Sequence, residues 1–193
     1  MILSTENNIR NKILNAIMDD PEIVTILKEK YVDEEIWKFC IEREPSLFKK
    51  MKHPSESICK FACEIDGANL RYIVNKFSYI PITSTLCYIS VRSNSKAILY
   101  VPKKFLNDGL KEMAFRKDPS LMAYFDDIRE EFIESLVDEK PSAIQYITYL
   151  NEDFVCEQIK KNPNICVYIN TMTDDMMKTL KEYHPQYFAL YRK

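Results

Sequence analysis

Apolar residues recur along this chain with a period near 22. Pro119, Pro141, Pro163 and Pro185 stand 22 residues apart, and each is followed by apolar residues two, three and six positions later. A fixed period of this length marks a repeat architecture. Pro45 and Pro21 fall in phase upstream, and Gly67 and Ser95 fill the same position between them and Pro119. Three residues past these eight anchors stand Val24, Phe48, Leu70, Ile98, Met122, Ile144, Cys166 and Phe188. Six past stand Leu27, Met51, Ile73, Val101, Phe125, Ile147, Ile169 and Tyr191. Both rows are wholly apolar. The spacing predicts a helix that starts at the anchor, where proline's fixed φ and missing N–H do no harm.

A second helix is predicted upstream of each anchor. Nine residues before it stand Ile36, Ile58, Leu86, Leu110, Phe132, Phe154 and Met176, and four before it Ile17, Ile41, Cys63, Val91, Phe115, Val137 and Ile159. Lys12 breaks the first row and Lys181 the second, in the first and last repeats, where an end cap needs polar groups. Twelve before the anchor stand Asp33, Ser55, Thr83, Asn107, Asn151 and Thr173, all good N-caps. The residue just before the anchor is Asp20, Asp66, Asn94, Asp118 or Asn162 in five repeats, placed to cap the helix that follows.

Helices of about eight or nine residues do not hold alone in water, so each pair must bury its apolar stripe against the next. The expectation is an all-α fold: an α-solenoid of about eight short helix-turn-helix repeats of 22–28 residues, one domain over residues 1–193. With two glycines and no serine-rich or proline-rich run, no linker interrupts the pattern. No apolar run is long enough to span a bilayer, and residues 1–10 lack the basic and apolar regions of a signal peptide, so a cytoplasmic location is expected. Five of the six cysteines, Cys40, Cys59, Cys63, Cys87 and Cys166, occupy apolar columns, and Cys156 lies beside one. They read as buried thiols of a reducing compartment rather than metal ligands or disulfides.

Charge is uneven. Residues 1–105 carry a net +3 and residues 106–193 a net −5. From Gly67 to Asn107 there is no Asp or Glu, while Arg71, Lys76, Arg92, Lys96, Lys103 and Lys104 are present, with Tyr79 among the interleaved aromatic residues. The interval from Gly67 to Ser95 is 28 rather than 22, which inserts six residues around Phe77–Ile82. Insertions in solenoids fall on loops of one face, often the binding face. Five past the anchor, Tyr72, Tyr100, Tyr124, Tyr146 and Tyr168 form a column at the margin of the apolar arc. Packing between repeats explains that column best, and a ladder of contact rings is the second reading. The acidic crowd in 126–139 is accounted for by helix starts, where the dipole favours carboxylates. Trp37 reads as a core anchor.

No glycine-rich phosphate loop, metal-ligand spacing or nucleophile elbow is present, and His53 and His184 are the two histidines. The expectation is a protein that is not an enzyme and uses no cofactor or metal. The segment Phe61-Ala62 … Asp66-Gly67-Ala68-Asn69-Leu70-Arg71-Tyr72 resembles a short helix-pair repeat of unassigned function found in phages, large DNA viruses, bacteria and protists. The resemblance implies the paired-helix fold and carries no chemistry. With the Lys-, Ile-, Asn- and Tyr-rich, Gly-poor composition of an AT-rich genome, it implies a phage or bacterial protein. The expected function is docking of a partner protein along 67–107, as an adaptor or inhibitor that blocks a host machine such as a defence system. A cytoplasmic site of action follows, in the host if the protein is viral. The alternative is nucleic-acid binding, with tyrosines stacking bases and the basic residues holding phosphates. The net charge of −2 speaks against it.

Overall fold

The structure, a computed structural model, describes residues 2–148 and 151–191, with side chains from Ile9 onward. Met1, in the stretch read against a signal peptide, lies outside them. The order is α1 (Ile2–Asp19), α2 (Glu34–Arg43), α3 (Glu56–Ile65), α4 (Leu70–Asn75), α5 (Ser84–Ser93), α6 (Asp108–Lys117), α7 (Glu130–Glu139), α8 (Glu152–Lys161), α9 (Asp174–Tyr183) and α10 (Pro185–Tyr191). The described residues contain no strand. The helix before each anchor forms as expected, and α2, α3, α5, α6, α7, α8 and α9 are each ten residues long. Together with the anchor segments they make an all-α helical repeat fold.

The anchor segments differ from expectation. In six repeats they are 3-10 helices: Pro21–Thr25, Pro45–Lys50, Ser95–Tyr100, Pro119–Tyr124, Pro141–Tyr146 and Pro163–Tyr168. Their turns close between residues three apart, as in Val101 N–H to the Ile98 carbonyl at 3.2 Å and Phe125 N–H to that of Met122 at 3.1 Å. Over two turns, offsets of three fit a three-residue period as well as an α-helical one. In the repeats cited the sixth residue already has extended backbone, so the segment stops there. Two anchor segments are α-helical instead: repeat three passes from the 3-10 turn Gly67–Asn69 into α4, where Leu70, Ile73, Val74 and Phe77 carry the apolar row on at α-helical spacing, and repeat eight forms α10 from Pro185, as expected.

The caps are formed as the sequence requires. Asp33, Ser55, Thr83, Asn107 and Thr173 accept from the N–H three residues on, and Asn151 from that of Asp153. The Ile36 N–H, more than the Arg10 guanidinium, holds the Asp33 carboxyl below its usual range. Asp20, Asp66, Asn94, Asp118 and Asn162 each accept from the N–H two residues on and so start the 3-10 turn. Where that residue is Lys140 or His184 it works elsewhere, and in repeat two Arg43, one position earlier, does the same, while Glu44 before the anchor accepts from the Ser46 hydroxyl. Arg43 donates to the Met18 carbonyl (2.7 Å), Lys140 to that of Arg116, and the His184 ring Nε2 lies 3.0 Å from that of Lys160. These groups reach the open C-terminal carbonyls of the preceding helix.

Contacts concentrate in two compact units, Met1–Ala114 and Phe115–Lys193. In the first, α3 packs between α2 and α5, and Pro21–Thr25 lies against Pro45–Lys50. In the second, α8 packs on α9, and Pro141–Tyr146 lies between Pro119–Tyr124 and Pro163–Tyr168. The core rows are where the period puts them. Val24, Phe48, Leu70, Ile98, Met122, Ile144 and Cys166 are buried, as are Ile17, Ile41, Cys63, Val91, Phe115, Val137 and Ile159. At about 1.5–3 kcal/mol for each large side chain removed from water, these rows dominate the stability. Lys12 and Lys181 are exposed, as end positions require. Trp37 is half-buried on the cluster of Ile17, Val24, Ile36, Cys40 and Leu47.

Candidate partner-binding surface

The acid-free stretch belongs to the first unit. Arg71 and Tyr72 lie on α4, Arg92 in the last turn of α5, Lys96 and Tyr100 on Ser95–Tyr100, and Lys103 and Lys104 on the 3-10 turn Lys103–Phe105. Because Leu70 and Ile73 bury, Arg71 faces out, and its guanidinium sits 4.5 Å over the Tyr72 ring and donates to the Tyr72 hydroxyl. The Tyr72 and then the Tyr100 hydroxyl favour its charged form further. The Tyr72 ring and hydroxyl thus orient the Arg71 guanidinium. Lys96, Lys103 and Lys104 are exposed, and among the described residues none of the three makes an ion pair. Lys104 lies 4.8 Å over the Phe105 ring, and Arg92 lies 5.9 Å over that of Tyr88.

The insertion is packed rather than presented as a loose loop. Phe77 is 1% and Ile80 7% exposed, and Phe77 meets Phe48 edge-on at 5.4 Å. Lys76 donates to the Lys49 and Met51 carbonyls at 2.7 and 2.9 Å, closing the end of Pro45–Lys50. The Tyr79 hydroxyl donates to the Pro54 carbonyl at 3.1 Å while its ring stays 57% exposed. Lys76 and Tyr79 therefore clasp repeat three to repeat two. The apolar spacing Phe77…Ile80 was the signal for this.

The remaining tyrosines of the column lie in the second unit. Tyr124 is 69% and Tyr168 37% exposed, and Tyr146 is half-buried. The column is not uniform packing material. Its rings move from a half-buried, arginine-paired setting in repeats three and four to open positions in repeats five and seven.

Sequence reasoning missed a cleft of about 340 Å³ in the first unit, floored by Val24, Leu27, Trp37, Met51 and Ile58, with Asp33, Lys52 and His53 at its mouth. Its size lies at the lower end of ligand pockets. Leu27, which lines it, is half-buried, but so are Phe125, Ile147 and Ile169 of the same apolar row, so no residue of that row marked the opening in the sequence.

Five of the six cysteines are buried. Burial pushes the Cys59 thiol up to about 12 and those of Cys40, Cys63, Cys87 and Cys166 to about 11, so thiolate is scarce at neutral pH. Among the described residues no three His, Cys, Asp or Glu side chains are grouped to hold a metal, and no helix is long and apolar enough to cross a membrane. Compared with known protein families, curated proteins and solved structures, the chain matches none.

Proposed function

We propose that the protein is a non-catalytic helical-repeat module that docks a partner protein through the surface of residues 67–107. One observation carries this reading: Lys96 and Lys103 stand exposed without an ion pair in a stretch devoid of carboxylates, which also holds an Arg71 oriented by Tyr72. Unpaired cations and an oriented Arg–Tyr pair suit an acidic protein surface, because complementary charge steers encounter and Tyr and Arg anchor contacts. The resemblance to repeats of phages and large DNA viruses supports placing the partner among host machines, a defence system included, that such a module would block in the host cytoplasm.

The test is affinity purification from the native host with mass spectrometry, repeated with Lys96→Glu and Lys103→Glu combined. The variant should lose the specific partner while keeping its melting temperature; an unchanged partner set refutes the surface. Basic and aromatic interleaving also suits single-stranded nucleic acid. A salt-dependent gel shift abolished by the same variant would favour that reading instead.

A further inference from the structure

The second unit carries a surface of opposite character. Pro119–Tyr124, Pro141–Tyr146 and Pro163–Tyr168 are each six residues long and pack side by side, and none of their residues is charged. The chain as a whole is 29% charged, and exposed positions ordinarily hold most of that charge. Within each segment the residues two and three past the anchor are buried: Leu121 and Met122, Ala143 and Ile144, Ile165 and Cys166. Those at four and five past therefore point away from the core. Among them Tyr124 is 69%, Val167 67% and Tyr168 37% exposed, with Ala123 and Gln145 also in the open. Every repeat of the first unit carries charge within the corresponding stretch, at Glu22, at Lys49 and Lys50, at Arg71 and at Lys96, although Thr25, Ile26, Leu99 and Tyr100 are neutral at four and five past the anchor there too. The neutrality belongs to this unit and is not imposed by the repeat.

Such a face suits only some occupants. Nucleic acid needs Lys or Arg at its phosphates, and an anionic lipid surface needs them as well; this face has neither. Tyrosine with Ser, Asn, Gln and Ala is the mixture that protein-binding loops use, since rigid rings give area at little entropic cost and small polar groups adapt their hydrogen bonds. Depletion of charge is the mark of an interface centre. Six residues after each of Tyr124, Tyr146 and Tyr168, an acidic helix start follows, beginning at Glu130, Glu152 and Asp174. Two copies of this face brought together would crowd those carboxylates, whereas a basic flank on an unlike partner would meet them.

We infer that this face is a second docking surface, and that its occupant is a stretch of another protein that is uncharged at its centre and basic at one flank. At about 8–10 Å between packed segments, three of them span roughly 20–30 Å, which an extended chain of about seven to nine residues covers. The inference stands whether or not the basic patch of residues 67–107 binds anything, because none of its residues is shared.

The probe is a displayed library of random peptides about twelve residues long, sufficient for that span. It is panned against the full chain and against Val167→Glu and Gln145→Glu variants, both at exposed positions that leave the core intact. Enriched peptides should have uncharged centres with Lys or Arg toward one end. Their binding should weaken about tenfold to a hundredfold in either variant, as burying an unpaired charge demands. Enrichment of acidic peptides, equal binding to the variants, or no enrichment over them overturns the proposal. So does a concentration-dependent dimer that Val167→Glu dissolves, which would make a second copy the occupant.

Discussion

Gly67 holds the anchor position that proline holds in six other repeats, so replacing it by the repeat's own consensus is an informative perturbation. A Cβ built there overlaps the Ser90 carbonyl oxygen, stands 2.7 Å from the Ser90 carbonyl carbon and 3.0 Å from the Asn94 amide nitrogen. All three are backbone atoms at the end of α5, which cannot rotate away as a flexible side chain would. Gly67→Ala must push α5 off α3 or bend the turn, and overpacking of this kind costs about 1–3 kcal/mol. Gly67→Pro adds the same Cβ and removes the Gly67 N–H, which donates to the Ser93 hydroxyl at 3.2 Å, for about 1 kcal/mol more. In a chain of this size each kcal/mol moves the melting temperature by about 2–4 °C. The alanine variant should therefore melt about 2–12 °C lower and the proline variant lower still, by circular dichroism. Gly109 is the control: its added Cβ meets only the Asn107 side chain at 3.6 Å, in the first turn of α6. Gly109→Ala should raise stability by about 0.5–1 kcal/mol. If Gly67→Pro matches the parent chain, the tight approach of repeats three and four is wrong.

Other outcomes follow from the same packing. Leu70→Ala, at a side chain with no exposure, should lower the urea unfolding free energy by about 2–5 kcal/mol. Thr83→Ala removes the hydroxyl that accepts from Leu86 N–H at 3.1 Å and should cost about 1 kcal/mol, while Thr83→Ser retains most of it. In the native protein a thiol reagent at pH 8 should label the half-buried Cys156 first and the five buried cysteines only as the chain opens; immediate reaction of five or more thiols refutes their burial. Those buried thiols have pKa values raised above the ordinary 9.0, to about 11 or 12. The folded chain then holds protons that the unfolded chain has released, so this stability is complete below pH 9 and is lost between pH 9 and 12. A melting temperature that stays flat across that window contradicts the burial.

The period was legible because core rows at nine and four before the anchor, and three after it, bury against the next repeat whatever the local helix type. Val24, Leu70, Ile98 and Ile144 stand where the spacing puts them. The helix type after the anchor was not legible, since a six-residue segment gives offsets of two, three and six that satisfy both periods. In repeat three Val74 and Phe77 extend the row and the α-helix forms, and in repeat eight Pro185–Tyr191 is α-helical as well. The burial of Phe77 and Ile80 was readable from their spacing, but the use of Lys76 and Tyr79 as donors to Lys49, Met51 and Pro54 was not, because carbonyls some 25 residues away leave no trace in local sequence. The neutral face was present in the letters PSLMAY, PSAIQY and PNICVY, and became visible as a surface only once the buried residues of each segment were known.

The groups that reach back from Arg43, Lys140 and His184 bear on how this chain can be shortened. Ending it before Thr173 discards His184 and strands the Lys160 carbonyl, whereas ending it before Asn151 discards donor and acceptor together. Of these two cuts the one before Asn151 should therefore give the better-folded chain, and a designer trimming or grafting this scaffold should keep each such donor together with its acceptor, Lys76 with Lys49 and Met51 included.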